Sequence, residues 1–344
     1  MAFSTIDKST SFFNTVLWTG TNSGETISGV GFQPDLNWTK QRTGTEPNVL
    51  VDSVRGVEKT IYSDANTAEA TLSTGLTAFN SDGFVHGILN AYCEAANTFA
   101  SWSWKAGTTS GLTGGTITPS AYSFNTTSGF SILAYTGNGV AGATIPHGLG
   151  AVPNMIICKK LNNVAQYTTY TSALGATKYM VLNTTTDVND EDWAWNDTEP
   201  TSSVFSVGDN ISVNENTSSY VAYCWTDISG YSKFSSYLGN GNVDGPFVFT
   251  GFKPAWVVVK NTSSAENWLT VDDKINPFNP MDTSLFPNTT SAEGTDAAYT
   301  IDMVSNGFKV RTTDSTFNTS GSTYIYMAFG QPIVSNSGVC ANAR

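Results

Sequence analysis

Charge is scarce in this chain. Asp, Glu, Lys and Arg make up 13% of its 344 residues, and only 16 residues are basic. With 28 acidic residues the formal net charge is −12, and no Lys/Arg cluster interrupts it, which argues against an electrostatic grip on nucleic acid or on an anionic lipid surface. Histidine is nearly missing: His86 and His147 stand alone, outside any HExxH, HxH or Cys/His spacing, so no zinc site is expected. Cys93, Cys158, Cys224 and Cys340 are scattered without a CxxC pair, as reduced thiols would be, and Cys158 and Cys224 fall in strand-like runs where a free thiol acts as a small hydrophobe. There is no GxSxG elbow to anchor Ser-His-Asp chemistry. No apolar run approaches the roughly 18–20 residues of a membrane helix, and MAFSTIDKSTSFF lacks the basic-then-apolar layout of a secretory signal. Helical periodicity is also almost absent. The best candidates, DANTAEATL (64–72) and TTSAEGTD (289–296), read as one or two turns connecting strands.

Thr, Ser, Asn and Gly are abundant instead, and aromatics reach 12%, more than a disordered chain carries. Strand-like runs of 5–8 residues alternate with Gly/Asn/Asp/Ser turns. The fold class expected is all-β, and the length suits two or three domains of about 100–150 residues.

One strand is written three times. GFQPDLNWTK (31–40), VPNMIICKK (152–160) and GFKPAWVVVK (251–260) each place a proline six residues before a lysine: Pro34 and Lys40, Pro153 and Lys159, Pro254 and Lys260. Twelve residues beyond each lysine stand Asp52, Thr171 and Asp272. A Gly-containing turn precedes each copy in LWTGT, AYTGNG and SYLGNG; the turns SDGF (81–84), a degenerate SVGD (206–209) and SNGF (305–308) follow. FASWSW (99–104), YVAYCW (220–225) and YIYMAF (324–329) close the copies. A period of about 100–120 residues exceeds that of solenoids and propellers, so each repeat is a whole domain.

Alternation along the strands separates their faces. Leu36/Trp38, Met155/Ile157 and Trp256/Val258 make one face apolar in every copy, and so do Ala100/Trp102/Trp104, Val221/Tyr223/Trp225 and Ile325/Met327/Phe329. The opposite face reads Asn37/Thr39, then Ile156/Cys158, then Val257/Val259: wet in the first copy and covered in the others. Two half-apolar sheets face to face make a β-sandwich. The expectation is three tandem, related antiparallel β-sandwiches of jelly-roll type at 1–106, 130–232 and 233–330. The expectation adds a flexible linker or loosely paired arm at 107–129 and a tail at 331–344 that runs over the surface or onto a neighbouring subunit. The short joint DISGYSKF (227–234) suggests that the second and third domains pack together while the first is more independent.

The runs AFSTIDKSTSFFNT, GVGFQPD, YTGNGVAGATIPHGLG, TEPTSSVFSVG, SGYSKF, DGPFVFTGFKPAWVVVK, NGFKVRTTD and YIYMAF resemble an uncharacterised repeat-domain family of tailed bacteriophages of marine and freshwater bacteria. The resemblance runs from the N-terminal segment to Phe329. It implies a β-sandwich virion structural protein, of tail-fibre, appendage or head-decoration type, and brings no catalytic residues with it.

The residues themselves offer little chemistry. Lys40, Lys159 and Lys260 read as solvated strand-end lysines guarding an exposed edge. Asp272 and Asp273 are adjacent and so point to opposite faces of a strand, and Thr171 replaces the acid in the middle copy. No pair with the roughly 5–10 Å separation of a glycosidase emerges from the spacing. One cluster is peculiar to the middle repeat: DVNDEDWAWND (187–197). If it is extended, Trp193 and Trp195 share a face on which a sugar could stack, with Asp190 and Asp192 as hydrogen-bonding neighbours. Its carboxylates would suit Ca²⁺, or the indoles fold into the core beneath a solvated acidic loop.

The reading is a non-enzymatic virion structural protein made in the host cytoplasm, needing no cofactor. Its partners would be other virion proteins, copies of itself (a trimer, as for a fibre) and a host surface glycan, with no nucleic acid or membrane insertion. A tail-fibre or appendage component contributing to host attachment comes first. Head decoration, with three domains in one chain imitating a trimer at a threefold site, comes second. A carbohydrate-binding module or glycan depolymerase is third.

Overall fold

The computed structural model describes residues 4–334 and Gly338. The chain is all-β, built of antiparallel sheets, and its helices are single turns. Each repeat contributes one large and one small sheet. In the large sheet an opening strand, a closing strand, a lysine-bearing strand and its hairpin partner lie side by side. In the first repeat these are Phe13–Thr19, Thr98–Trp104, Leu36–Gln41 and Val49–Asp52. In the second they are Phe130–Thr136, Ser219–Trp225, Met155–Lys160 and Thr168–Thr171. In the third they are Ser232–Leu238, Thr323–Pro332, Phe252–Asn261 and Leu269–Asp272.

The registers coincide. Leu36 lies opposite Trp104 and Lys40 opposite Ala100; Met155 opposite Trp225 and Lys159 opposite Val221; Trp256 opposite Phe329 and Lys260 opposite Ile325. The small sheets are centred on Glu25–Ser28 with Gly83–His86, Ala143–Pro146 with Val204–Val207, and Phe247–Phe249 with Gly307–Val310. Here the structure corrects the alignment of turns. Phe205 faces Ile145 as Phe84 faces Ile27 and Phe308 faces Val248, so SSVF (202–205), not SVGD, is the counterpart of SDGF and SNGF. The glycines of those two turns are required by close approach: a Cβ on Gly83 or Gly307 would lie 1.9 Å from Ile27 O or 2.0 Å from Val248 O.

The repeated apolar face is not the interior of a sandwich. It belongs to one core shared by all three repeats, holding Leu36, Trp38, Trp102 and Trp104 with Met155, Ile157, Tyr223 and Trp225 and with Trp256, Val258, Met327 and Phe329. Trp104 stands among the other two repeats, its ring centroid 6.1 Å from Trp225, 5.5 Å from Trp256 and 5.8 Å from Phe329. The opposite face of each large sheet forms a separate interior beneath the small sheet. In the first repeat that face is not wet. Asn37 and Thr39 are fully buried, and Asn37 Nδ2 donates to Ser101 Oγ at 2.6 Å while Thr39 donates to Asn37 Oδ1 at 2.8 Å. Polar residues tolerate this burial because they satisfy one another.

The first repeat is therefore no more independent than the others. Nor is 107–129 wholly a linker: Ala121–Asn125 adds a strand to the second large sheet beside Phe130–Thr136, and Ile117 is buried in that repeat's interior. The segments 64–72 and 289–296 are not helical; each ends in a two-residue strand, Ala70–Thr71 and Gly294–Thr295. The third closing strand continues to Pro332, past the 330 boundary, and Ser9 N and Oγ both donate to Gln331 Oε1 at 3.1 and 2.9 Å. Beyond it, residues 335–337 and 339–344 of the expected tail, Cys340 included, lie outside the described residues.

Candidate functional site

The recurring lysines are the feature the sequence marked most clearly, and they do not guard an exposed edge. Lys40, Lys159 and Lys260 are all fully buried. Each ammonium donates to backbone carbonyls of its own repeat and of one neighbour. Lys40 Nζ reaches Glu46 O (2.7 Å) and Thr290 O of the third repeat (2.9 Å). Lys159 Nζ reaches Ala165 O (2.8 Å) and Asn66 O of the first (3.1 Å). Lys260 Nζ reaches Asn261 O (2.8 Å) and Thr185 O of the second (3.1 Å). First binds third, second binds first, third binds second.

The neighbour answers in kind. Three residues after each accepting carbonyl a backbone N–H returns to the carbonyl two residues beyond the lysine: Glu69 N to Leu161 O (2.8 Å), Val188 N to Thr262 O (3.1 Å) and Glu293 N to Arg42 O (2.6 Å). Such a cycle of equivalent contacts closes only around a pseudo-threefold axis. Burial pulls all three lysines down to about 8, against partial support from nearby acids for Lys40 and Lys260.

A second set of seams lies at the position twelve residues on. Asp52 Oδ2 takes a hydrogen bond from the Tyr223 hydroxyl of the second repeat at 2.7 Å and pairs with Arg55 Nε at 2.6 Å; Arg55 also reaches Glu69 Oε2 at 2.8 Å. Asp272 Oδ2 accepts from Thr15 Oγ1 (2.7 Å) and Trp102 Nε1 (2.8 Å) of the first repeat. Burial, helped by neighbouring Asp273, raises the Asp272 carboxyl to about 6. These carboxylates are structural acceptors, each saturated by partners from its own or the adjoining repeat.

The acidic tryptophan loop is not extended. Asp192–Trp195 is a single helical turn, standing where the first and third repeats run the edge strands Leu76–Asn80 and Ile301–Val304. Trp195 is buried in the second interior against Tyr170 and Phe205, at 5.9 and 6.4 Å between ring centroids. Trp193 is half-buried on Tyr179 at 4.4 Å, and Asp190 and Asp192 are exposed. The two indoles share no open face for a sugar. Among the described residues no three His, Cys, Asp or Glu side chains converge as metal ligands.

Both histidines are buried. His147 Nε2 lies 3.1 Å from Thr201 O with its pKa pushed down to about 4 by desolvation, and His86 Nδ1 lies 2.8 Å from Gly87 O, its ring stacked on Tyr92. Cys93, Cys158 and Cys224 are free and buried, and burial raises the Cys158 thiol to about 12.

Sequence reasoning missed the acceptors of the lysines because backbone carbonyls at Asn66, Thr185 and Thr290 leave no side-chain signature. Arg55 and Glu69 also passed unnoticed. A signal for the aspartate seams was present: Tyr223, Trp102 and Met327 occupy one position of the closing strand, and only the first two can donate.

The fold and these seams define a class: a repeat-built, all-β single-chain ring with internal pseudo-threefold symmetry. The chain belongs to a family described as a domain of unknown function, DUF7483, whose model matches residues 8–332. The match treats all three repeats as one unit, in keeping with the shared core. No curated protein and no solved structure matches the chain.

Proposed function

We propose that this chain is a non-enzymatic structural protein of a tailed-bacteriophage virion, acting as a single-chain counterpart of a trimer. The cycle of buried lysines carries this reading. It spends three strongly desolvated cations on holding three similar domains about one axis, which supplies a threefold-arranged surface rather than length or a cleft. Repeats closed on one another do not lengthen a fibre, so the geometry favours decoration of the head at a threefold site over a tail-fibre shaft. The phage assignment itself rests on the sequence resemblance. Carbohydrate binding at Trp193 and Trp195 loses its main support with Trp195 buried.

Immunogold labelling of purified particles tests it. Label over heads is the expected result. Label confined to tails would transfer the protein to the appendage class, and particles without label would overturn the virion reading altogether.

A further inference from the structure

The threefold pattern breaks on the outside of the third repeat. The first strand of each small sheet, at its edge, presents two outward positions: Thr26 and Ser28 in the first repeat, Thr144 and Pro146 in the second, Phe247 and Phe249 in the third. Phe247 is 48% and Phe249 59% exposed. A shallow apolar groove runs beside Phe249 to Ile333, itself 39% exposed, with Asp227, Lys233 and Asn306 on its walls.

The chain shows what such an edge accepts. In the second repeat the equivalent strand is covered by the preceding segment: Thr116 N and Ile117 N both donate to Thr144 O at 2.9 Å, and Thr144 N returns to Thr116 Oγ1 at 2.8 Å. The third repeat follows the second after only a few residues and has no such segment. Among the described residues nothing pairs with the outer edge of Phe247–Phe249. An open strand edge bearing exposed aromatics is a template for another strand.

We propose that this edge pairs with the same edge of a second copy, antiparallel and about a twofold axis, to form a homodimer of rings. An isologous contact of this kind needs a self-complementary surface. Two antiparallel Phe247–Phe249 strands would set aromatic against aromatic, a favourable cross-strand pairing. Charge favours a copy of itself as well. The chain as a whole carries −12 and two copies repel, but on this side the ionic groups balance: Lys233 pairs with Asp227, Lys309 with Asp244 at 2.8 Å, and Arg311 with Asp302 at 3.1 Å. The inference holds whether or not the protein belongs to a virion.

Sedimentation velocity over a concentration series reaching the hundred-micromolar range tests it on the full chain. The wild type is expected to pass from monomer to dimer. The double substitution Phe247→Thr and Phe249→Ser, which installs the residues of the first repeat, is expected to stay monomeric with an unchanged melting temperature. Phe278→Ser, at an exposed aromatic elsewhere on the third repeat, is expected to leave the dimer intact. A wild type that is monomeric throughout overturns the proposal. So does a dimer that survives the double substitution, or one abolished by Phe278→Ser alone.

Discussion

The Tyr223 hydroxyl donates to Asp52 Oδ2 across the seam between the first two repeats, and the equivalent seam between third and first joins Trp102 to Asp272. At the remaining seam both partners change together: Thr171 stands for the acid and Met327 for the donor. A buried carboxylate is tolerated where the neighbouring repeat supplies a donor and is replaced where it does not.

Asp52→Ala should therefore cost about 3–5 kcal/mol in urea unfolding, because it leaves the buried Arg55 guanidinium with Glu69 as its one carboxylate partner and the buried Tyr223 hydroxyl without its acceptor. Tyr223→Phe should cost about 1–3 kcal/mol, the loss of the hydroxyl's hydrogen bond to Asp52 and of the longer one it accepts from Arg55 Nη2 at 3.3 Å. Thr171→Asp alone should destabilise, and Met327→Trp in the same chain should recover part of that loss. Additive effects in this double-mutant cycle would contradict the coupling.

The triplication and the repeated apolar face were legible in the sequence, because alternation and fixed spacing record which side chains share a face; which strands pair, and in what register, was not read there. Which surface that face would meet was not legible. A strand such as Trp256–Lys260 reads the same whether its apolar side packs inside its own domain or against two neighbours. The lysines misled for a related reason: an ammonium at a strand end looks solvated until the carbonyls of another repeat, remote in sequence, close over it. Of the readings left open for 187–197, the one that folds the indoles into the core holds for Trp195, which a helical turn drops into the second interior; alternation alone could not choose it, because an extended backbone would have put both indoles on one face.

A shared core makes the three repeats one cooperative unit. Calorimetry should show a single transition with equal calorimetric and van't Hoff enthalpies. The second repeat expressed alone, as residues 107–228, should fail to fold, since Ile157, Tyr223 and Trp225 would face water. Three resolved transitions, or a stable isolated repeat, would contradict the ring.

Trp104 concentrates this cooperativity, since it touches aromatics of both other repeats. Trp104→Ala should cost about 3–5 kcal/mol. Its indole N–H has no partner among the described residues, so Trp104→Phe should lose packing alone, about 1–2 kcal/mol. Equal losses for the two variants would mean that the N–H and not the ring volume matters there.

Asp272 gives the fold an acid-side signature. Its carboxyl is raised from 3.8 to about 6, so between those values the folded chain holds a proton that the unfolded chain has lost. Its contribution to stability is full below 3.8 and declines as pH rises to about 6. Comparing Asp272→Asn with wild type by chemical denaturation across that window should reveal the slope as a difference between the two curves. Parallel curves would mean that the carboxyl titrates normally.

The lysines act on the alkaline side with the opposite sign. Folding lowers Lys40, Lys159 and Lys260 from 10.5 to about 8, so between those values the unfolded chain binds protons that the folded chain has released. Stability must then rise with pH from about 8, until the buried tyrosines reverse the trend near 10, where Tyr223 and Tyr231 ionise only in the unfolded chain. Each of Lys40→Met, Lys159→Met and Lys260→Met should remove about a third of that rise while leaving carbonyls short of a donor, two at the first two sites and three at Lys260, at a cost of about 1–3 kcal/mol near neutrality. Because the three sites are equivalent by the cycle of contacts, the three variants should behave alike. A substitution that leaves the alkaline slope untouched would show that its lysine stays charged inside the fold, and one that costs nothing would show that its carbonyls find water instead.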